Sequence, residues 1–271
     1  MQPLLRVENL VKRYPPRTSP GATGHFSAAA LESVSISIAP QTTLALVGES
    51  GSGKSTLALC IAALETPTSG KILFEGVDLA ALDQKQRRRF RPQIQLVFQD
   101  PATSLNPRWT ALDIVAEPFI VQKQFTQPDR AVRALRLLDR VAIPRKLAGR
   151  NVNELSGGQK QRLAIARALA LEPKLLILDE ALSALDGSVQ AQIANLLLEL
   201  QSSLGLTYLF ITHDFAMAAH LADEVAVMHQ GRIVESGPTQ KILSAPSHEA
   251  TRSLLAATLI SIETTNILVN A

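Results

Sequence analysis

The sequence has one cysteine, few aromatic residues and no long apolar run. Because Cys60 is the only cysteine, the chain cannot form an internal disulfide or a four-cysteine metal site. No apolar run reaches the ~18 to 20 residues that a membrane-spanning helix needs. The amino-terminal sequence MQPLLRVENLVKRY also lacks the apolar core of a secretory signal. We therefore expect a chain in a reducing cytosol, held at a membrane only by a partner.

The sequence also has little excess of either charge. Its 271 residues include 27 Lys and Arg against 24 Asp and Glu, so a basic nucleic-acid-binding surface is not indicated. Hydrophobic residues make up 46% of the chain, with 14 Gly and 15 Pro, which excludes a disordered or collagen-like protein. A globular chain with a substantial core is expected.

Two kinds of strand pattern occur. Partly alternating segments at 4–11, 31–38 and 71–79 predict a small antiparallel sheet, with residues 15–30 as a Pro- and Gly-rich loop. Nearly continuous apolar runs are typical of strands buried on both faces of a parallel sheet. These runs cover residues 44–48, 94–100, 175–180 and 208–214.

Helical patterns lie between the continuous runs. They cover residues 54–64, 130–141, 159–171, 189–204 and 217–222. Alternating strands and helices predict an α/β fold with a mainly parallel sheet, and ligands bind such sheets at the carboxyl ends of the strands. Residues 101–155 contain helix and loop patterns with little strand signal, which predicts a separate helical subdomain.

A phosphate-binding motif follows the first continuous run. The segment from Gly48 to Ser55, GESGSGKS, matches G-x-x-x-x-G-K-[ST] between a strand and a helix, as a P-loop requires. Its glycines let backbone N–H groups converge on phosphate oxygens, and the helix adds its positive dipole end. Lys54 is expected to contact the outer phosphates and Ser55 to ligate Mg²⁺.

Polar residues follow the other continuous runs. Asp179 and Glu180 end LLILDE, where the first carboxylate can hold Mg²⁺ and the second can polarise the attacking water. Gln99 and His213 each end a further run. Taken singly they are more often structural, but beside phosphates the glutamine can ligate Mg²⁺ and the histidine can contact the terminal phosphate.

A second glycine-containing helix start lies at Leu155–Gln159, LSGGQ. Ser156 alone can be a plain helix cap. We favour a phosphate site instead, because two glycines after the serine weaken a helix start. One chain needs only one such site, so this one is expected to complete the nucleotide site of a partner.

These motifs, in this order, resemble the nucleotide-binding subunit of ABC transporters. The resemblance covers residues 4–243, with the helical subdomain at about 101–165 and a carboxyl-terminal extension at 244–271. It implies a P-loop NTPase core with a mainly parallel sheet, an antiparallel β subdomain and the inserted helical subdomain. It also implies an ATPase that uses ATP and Mg²⁺ and closes as a dimer.

The resemblance assigns roles to particular residues. It implies that Glu180 is the general base, that His213 contacts the γ-phosphate, and that Gln99, Asp179 and Ser55 hold Mg²⁺. Tyr14 would stack on adenine, and Asp186 would communicate across the dimer. Ser156, Gly158 and Gln159 would bind ATP held by the opposite subunit. The residues expected to hold the phosphates are Gly48, Glu49, Ser50, Gly51, Ser52, Gly53, Lys54, Ser55 and Thr56.

Two segments indicate a subfamily. Residues 98–108, FQDPATSLNPR, and 251–255, TRSLL, resemble the ATPases of oligopeptide, dipeptide and nickel importers. The sequence departs from the family at Gln41, where glycine is usual, and at Ala181, where proline is usual. The family's H-P-Y-T-R appears as HEATR at residues 248–252.

The resemblance also implies partners. They are a second ATPase subunit, transmembrane permease subunits and an extracytoplasmic substrate-binding protein, with no nucleic acid. The chain would lie peripherally on the cytoplasmic face of the inner membrane. The apolar residues expected to contact the permease are Leu105, Trp109 and Phe119, although such residues are more often core.

Two other classes remain as alternatives. An ABC ATPase acting on nucleic acid or ribosomes usually has paired modules, a long coiled coil or zinc-binding cysteines, and the sequence has none of these. A P-loop kinase would transfer phosphate to a small acceptor, and LSGGQ argues against it.

Overall fold

The computed structural model describes residues 2–15 and 29–258 and divides the chain into two compact units. The first unit contains the chain up to Arg87 and from Leu209 onward, and the second runs from Arg88 to Tyr208. Most of the predicted loop at 15–30 and the tail from 260 lie outside the described residues.

The described residues form ten strands and ten α-helices. The strands are β1 (Leu5–Lys12), β2 (Leu31–Ile38), β3 (Thr43–Val47), β4 (Ser69–Phe74), β5 (Val77–Asp78), β6 (Ile94–Val97), β7 (Leu175–Asp179), β8 (Thr207–Thr212), β9 (Glu224–His229) and β10 (Arg232–Pro238). The helices are α1 (Lys54–Ile61), α2 (Gln84–Arg87), α3 (Pro101–Ser104), α4 (Ala111–Val121), α5 (Gln127–Arg140), α6 (Gly157–Leu169), α7 (Gly187–Leu204), α8 (Phe215–Leu221) and α9 (Thr239–Ser244). A further helix covers residues 249–258.

The predicted antiparallel sheet is present in the first unit. Its strand order is β2-β1-β4-β5, and Leu5 pairs with Ile38 on one side and Phe74 on the other. All three side chains are almost fully buried, which explains the partial alternation. The predicted single strand at 71–79 is wrong, because a turn at Glu75 and Gly76 with positive φ divides it into β4 and β5.

Parallel pairing begins at β3, whose five residues are all buried. β3 pairs in parallel with β9, β9 pairs antiparallel with β10, and β8 neighbours β3 in the strand order. Helix α1 follows β3 and helix α8 follows β8, so both connections leave from strand carboxyl ends. The sequence patterns did not predict β9 or β10.

The second unit places β6 and β7 side by side in parallel, with Ile94 opposite Leu175 and Val97 opposite Leu178. From Pro101 to Leu169, a stretch described throughout, the backbone is helix and turn apart from one bridge between Thr110 and Asn151. A capping box between Thr110 and Asp113 starts α4, which continues through Pro118.

Two of the predicted permease contacts belong to the core instead. Leu105 and Phe119 are each 3% exposed in the second unit, so the prediction that they form an outer contact is wrong. Phe119 packs edge-on against the Phe125 ring, with centroids 5.4 Å apart. Trp109 is half-buried.

The predicted α/β class, with parallel strands and an antiparallel β portion, is confirmed. The boundaries at 4–243, 101–165 and 244–271 stay predictions. Over residues 2–15 and 29–258, no helix is both long and apolar enough to cross a bilayer.

Candidate active site

The P-loop joins the buried strand β3 to helix α1 in the first unit. Gly53 caps α1 with φ 110°, which L-residues rarely adopt, and a Cβ there would lie 2.4 Å from the Ala30 carbonyl oxygen. No side chain caps the amino terminus of α1 and no acidic residue lies in its first turn. The N–H groups and the positive dipole end of α1 therefore suit an anion.

The Lys54 ammonium lies inside the P-loop and donates hydrogen bonds to its backbone. Lys54 is 3% exposed, and its Nζ donates to the carbonyl oxygens of Gly48 and Glu49, each at 2.8 Å. These carbonyl oxygens satisfy donors of the buried ammonium, and its positive charge lies within the loop that the motif predicts to hold phosphate. Ser50 and Ser55 are exposed, and Thr56 is half-buried.

The hairpin formed by β9 and β10 packs against the backbone of the P-loop. Gly231 N donates to Ser52 O at 2.9 Å, and a Cβ on Gly48 would lie 2.3 Å from Met228 O. Gly48 is therefore needed for this close approach of two backbones. Sequence reasoning missed these residues, although Gln230-Gly231 is a two-residue turn between short apolar and polar runs, a hairpin signal.

His213 lies between β8 and α8, also in the first unit. Its side chain is exposed, directly after the buried strand residue Thr212. The next residue, Asp214, fixes the start of α8 by accepting from Ala216 N at 2.7 Å. The turn thus places the imidazole at a strand carboxyl end, as predicted.

In the second unit, Gln99 and Glu180 are brought together. Gln99 Nε2 donates to Glu180 Oε2 at 3.0 Å, linking the segments that follow the parallel strands β6 and β7. Asp179, the last residue of β7, is 8% exposed. Glu180 has φ 47°, a left-handed conformation uncommon for this residue type. Such backbone strain is often found at functional positions.

The segment after Glu180 is held by hydrogen bonds to its carbonyl groups. Ser183 Oγ donates to Glu180 O at 2.8 Å, and Gln190 Nε2 donates to Leu182 O at 3.0 Å. Asp186 caps α7 by accepting from Val189 N at 2.9 Å. A hydrogen bond from the Ser188 hydroxyl, aided by that backbone bond, lowers the pKa of the Asp186 carboxyl.

Ser156 does cap a helix, so the argument against this role is wrong. Its Oγ accepts from Gln159 N at 3.3 Å, and Gln159 Oε1 accepts from Ser156 N at 3.0 Å, a reciprocal capping box at α6. A Cβ on Gly158 would lie 2.6 Å from Val189 Cγ1, so this glycine lets α6 and α7 pack closely. The two hydrogen bonds of the capping box offset the destabilising effect of the two glycines on the start of α6. Nucleotide binding by this motif stays a prediction.

Tyr14 lies at the carboxyl end of the described segment 2–15. It is 37% exposed, and Lys12 Nζ lies 4.8 Å from the ring centroid. Lys12 also pairs with Glu65 at 2.7 Å, so one face of the ring is fixed against an ion pair.

The sequence of the chain matches one known family. The profile of the ABC transporter family matches residues 31–183, more than half of the chain. The chain belongs to the ABC transporter ATP-binding family. The prediction of an ABC-type ATPase is thereby confirmed, and ATP is the nucleotide of this family.

Curated relatives of this ABC ATPase are named for peptide transport and glutathione import. It is 48% identical to the probable peptide ABC transporter ATP-binding protein y4tS of Sinorhizobium fredii, over 94% of this chain and 72% of that protein. It is 46% identical to the glutathione import ATP-binding protein GsiA of Escherichia coli, over 94% of this chain but 41% of that protein.

Solved structures of ABC cassettes are also similar. The dimeric post-hydrolysis cassette MJ0796 bound to ADP and Pi is 31% identical with a TM-score of 0.76, covering 87% of this chain and 98% of that one. The cbiO1 subunit of the cbiONQ transporter complex from Clostridium perfringens is 31% identical with a TM-score of 0.78, covering 90% and 92%.

Proposed function

We propose that this ABC ATPase powers an importer of peptides or chemically related solutes. The observation that carries the proposal is the buried Lys54 ammonium beneath a P-loop with an uncapped helix start, in a chain whose relatives are named for peptide transport and glutathione import. Nickel is the alternative cargo, because the sequence also resembles the ATPases of nickel importers. Cargo recognition belongs to other subunits.

The P-loop binds the phosphates of ATP. Residues 48–56 surround them with backbone N–H groups, and Lys54 exchanges its carbonyl partners for phosphate oxygens. Tyr14 stacks its exposed ring on adenine. His213 contacts the γ-phosphate and stabilises the charge that develops during transfer.

The predicted magnesium ligands have suitable chemistry. A hydroxyl from Ser55, an amide oxygen from Gln99 and a carboxylate from Asp179 are hard oxygen donors of the kind Mg²⁺ takes beside substrate phosphates. Gln99 uses its amide nitrogen on Glu180, which leaves its carbonyl oxygen for a metal. Among the described residues, no three His, Cys, Asp or Glu side chains form a metal site alone. When bound, the ion would neutralise charge on the phosphates.

Glu180 is the general base in this proposal. Its carboxylate, oriented by Gln99 Nε2, takes a proton from water as the water oxygen bonds to the γ-phosphorus. The bond from that phosphorus to the bridging oxygen breaks, giving ADP and phosphate.

Hydrolysis requires two subunits in this proposal. Ser156, Gly158 and Gln159 present the amino terminus of α6 to ATP on the opposite subunit, and Asp186 communicates between the two sites. The dimeric state of the similar MJ0796 cassette supports this arrangement. Closure of the dimer is coupled to permease subunits, with a substrate-binding protein outside and the ATPase peripheral on the cytoplasmic face of the inner membrane.

Glu180→Gln tests the assigned base. The variant should bind ATP normally, lose turnover by about 10² to 10⁴, and accumulate an ATP-bound dimer, because only proton removal is lost. Phosphate release and size-exclusion chromatography with ATP measure these effects. Glu199→Gln, an exposed position on α7, is the matched control. Turnover by Glu180→Gln within threefold of the unaltered chain would contradict the role.

A further inference from the structure

Lys12, the last residue of β1, is a buried cation in contact with an aromatic ring. Its side chain belongs to a residue that is 9% exposed, and its Nζ donates to Glu65 Oε2 at 2.7 Å and to Thr66 O at 2.8 Å. The same ammonium lies 4.8 Å from the centroid of the Tyr14 ring. One cation of the first unit therefore contacts both the segment after α1 and the aromatic ring.

The acceptors of Lys12 are attached to the end of α1, the helix that begins in the P-loop. Leu64 N and Glu65 N both donate to Leu59 O, at 2.9 and 3.1 Å, which fixes Glu65 against the last turn of this helix. The Lys12 ammonium thus links the end of the P-loop helix to the ring of Tyr14.

The backbone on either side of Lys12 is also fixed to this segment. Arg13 N donates to Thr68 Oγ1 at 2.9 Å, and Thr68 N donates to Val11 O at 2.7 Å. These bonds hold the main chain up to the residue before Tyr14. The contact with Lys12 then determines the position of the ring itself.

The charge of Lys12 also affects the ring. The hydrogen bond with Glu65 raises the pKa of the ammonium and outweighs its burial, so Lys12 is charged at neutral pH. The face of an aromatic ring is negative, and a cation on one face attracts its π electrons. The opposite face of Tyr14 becomes less negative, which reduces its repulsion with the π electrons of a stacked base.

We propose that Lys12 is a positioning residue for adenine, which holds the Tyr14 ring in one orientation and polarises it for stacking. The inference rests on the proposed function, because that function places adenine on Tyr14. Lys12 itself contacts neither the base nor the phosphates and takes no part in hydrolysis. It strengthens binding of the base and leaves binding of the phosphates unchanged.

Lys12→Met tests the inference, because methionine is also a long, unbranched side chain but carries no charge. Glu65 is left without its partner, but its side chain is 35% exposed, so water can solvate the carboxylate. Titration calorimetry on the full chain should give a Kd for ADP about fivefold higher than for the unaltered chain. The Kd for pyrophosphate, which has no base, should be unchanged and reports an intact P-loop.

Hydrolysis kinetics give a second measurement. Lys12→Met should raise KM for ATP about fivefold and leave kcat unchanged, as expected when a contact equally strong in the ground and transition states is lost. Lys12→Gln also removes the charge but keeps an amide donor for Thr66 O. It should give the same result and replaces Lys12→Met if that variant does not fold.

Three further variants separate positioning from a merely structural role. Tyr14→Leu should raise the Kd for ADP about tenfold, and adding Lys12→Met to it should then have almost no further effect. Lys12→Arg keeps a cation and should bind ADP nearly as the unaltered chain does. Lys71→Met, at an exposed lysine of β4 in the same unit, is the matched control and should change neither Kd.

Four results would overturn the inference. An unchanged Kd for ADP in Lys12→Met would show that the cation does not assist the base. Equal losses of ADP and pyrophosphate affinity, or an effect that persists in full with leucine at position 14, would show that Lys12 only stabilises the fold. If Tyr14→Leu binds ADP normally, the ring does not hold the base. Normal hydrolysis by the unaltered chain, measured alongside, limits each failure to base binding and leaves the proposed ATPase intact.

Discussion

The Glu235 carboxylate receives four hydrogen bonds from a segment 12 to 16 residues further along the chain. The donors are Ser247 N at 2.8 Å, Ser247 Oγ at 2.7 Å, His248 N at 3.0 Å and Thr251 Oγ1 at 2.6 Å. Thr251 is fully buried. The threonine of the TRSLL segment, which indicated a subfamily in the sequence, therefore fixes the helix at 249–258 to β10.

These contacts change the acidity of Glu235. Burial raises the pKa of the carboxyl, but the hydrogen bonds from Thr251, Ser247 and His248 outweigh it and lower the pKa to about 2. Since the folded pKa lies below the unfolded value of about 4.5, the stabilisation is complete above that value and is lost as pH falls towards 2.

Glu235→Gln should lower the free energy of unfolding by about 2 kcal/mol at pH 7, a figure that allows for solvent screening. In the variant, an amide nitrogen replaces one of the accepting carboxylate oxygens. This nitrogen is a donor and would face groups that are themselves donors. The difference from the unaltered chain should shrink as pH falls from about 4.5 to about 2. Urea unfolding across this range measures it, with the exposed Glu224→Gln as control. A pH-independent difference would contradict the account.

At the scale of elements, α1 ends in a Schellman motif without a glycine. Leu64 N donates to Leu59 O at 2.9 Å and Ala63 N to Cys60 O at 3.1 Å, so Ala63 adopts φ 54°. A Cβ in this left-handed conformation is strained, and glycine is the usual residue there. Helix α7 meets the same requirement with Gly205.

Ala63→Gly should therefore raise the free energy of unfolding by about 0.5 to 1 kcal/mol. Thermal or urea unfolding measures the change. Ala131→Gly, the same substitution inside α5, should lower it by about 1 kcal/mol because the backbone there is helical. If both substitutions are destabilising, strain at Ala63 is not relieved by glycine and the explanation fails.

The sequence pattern predicted the strands that are completely buried, because burial on both faces requires apolar residues at every position. β3, β7 and β8 are buried along their whole length, and the runs that predicted them are continuous for that reason. β10 has a mixed burial pattern, so its residues show no clear period, and the Gln-Gly turn before it is the one local signal of the hairpin.

The site was predictable where chemistry restricts residue type. Lys54 and the paired acids at 179 and 180 are chemically specific; the sequence predicted Lys54 at the start of the helix after β3 and the acids at the end of β7, and the structure has them there. Their roles stay predictions. The contact of Gly48 with Met228 was not predictable, because it depends on how closely two distant backbones approach. The capping role of Ser156 was misjudged because the cost of two glycines was weighed without the bond from Gln159.

At the scale of the whole molecule, the central claim is that each chain supplies two unlike parts of a nucleotide site. The P-loop supplies the buried Lys54 cation. The amino terminus of α6 supplies backbone N–H groups but no counterpart of that P-loop lysine. If the amino terminus of α6 binds ATP that is held by the P-loop of another subunit, the two parts can be inactivated in different chains without destroying every site.

The most direct test mixes two inactive variants, Ser156→Arg and Lys54→Ala. Each alone should lack hydrolysis, since the first blocks one part and the second removes the cation from the other. A mixed dimer keeps one site in which both parts are intact, so an equal mixture should recover up to about a quarter of normal phosphate release. If the chain pairs with a different subunit, Ser156→Arg is made in this chain and the P-loop lysine is replaced by alanine in the other subunit, so that one site again keeps both parts intact. No recovery at any ratio, in either setting, would contradict the composite site.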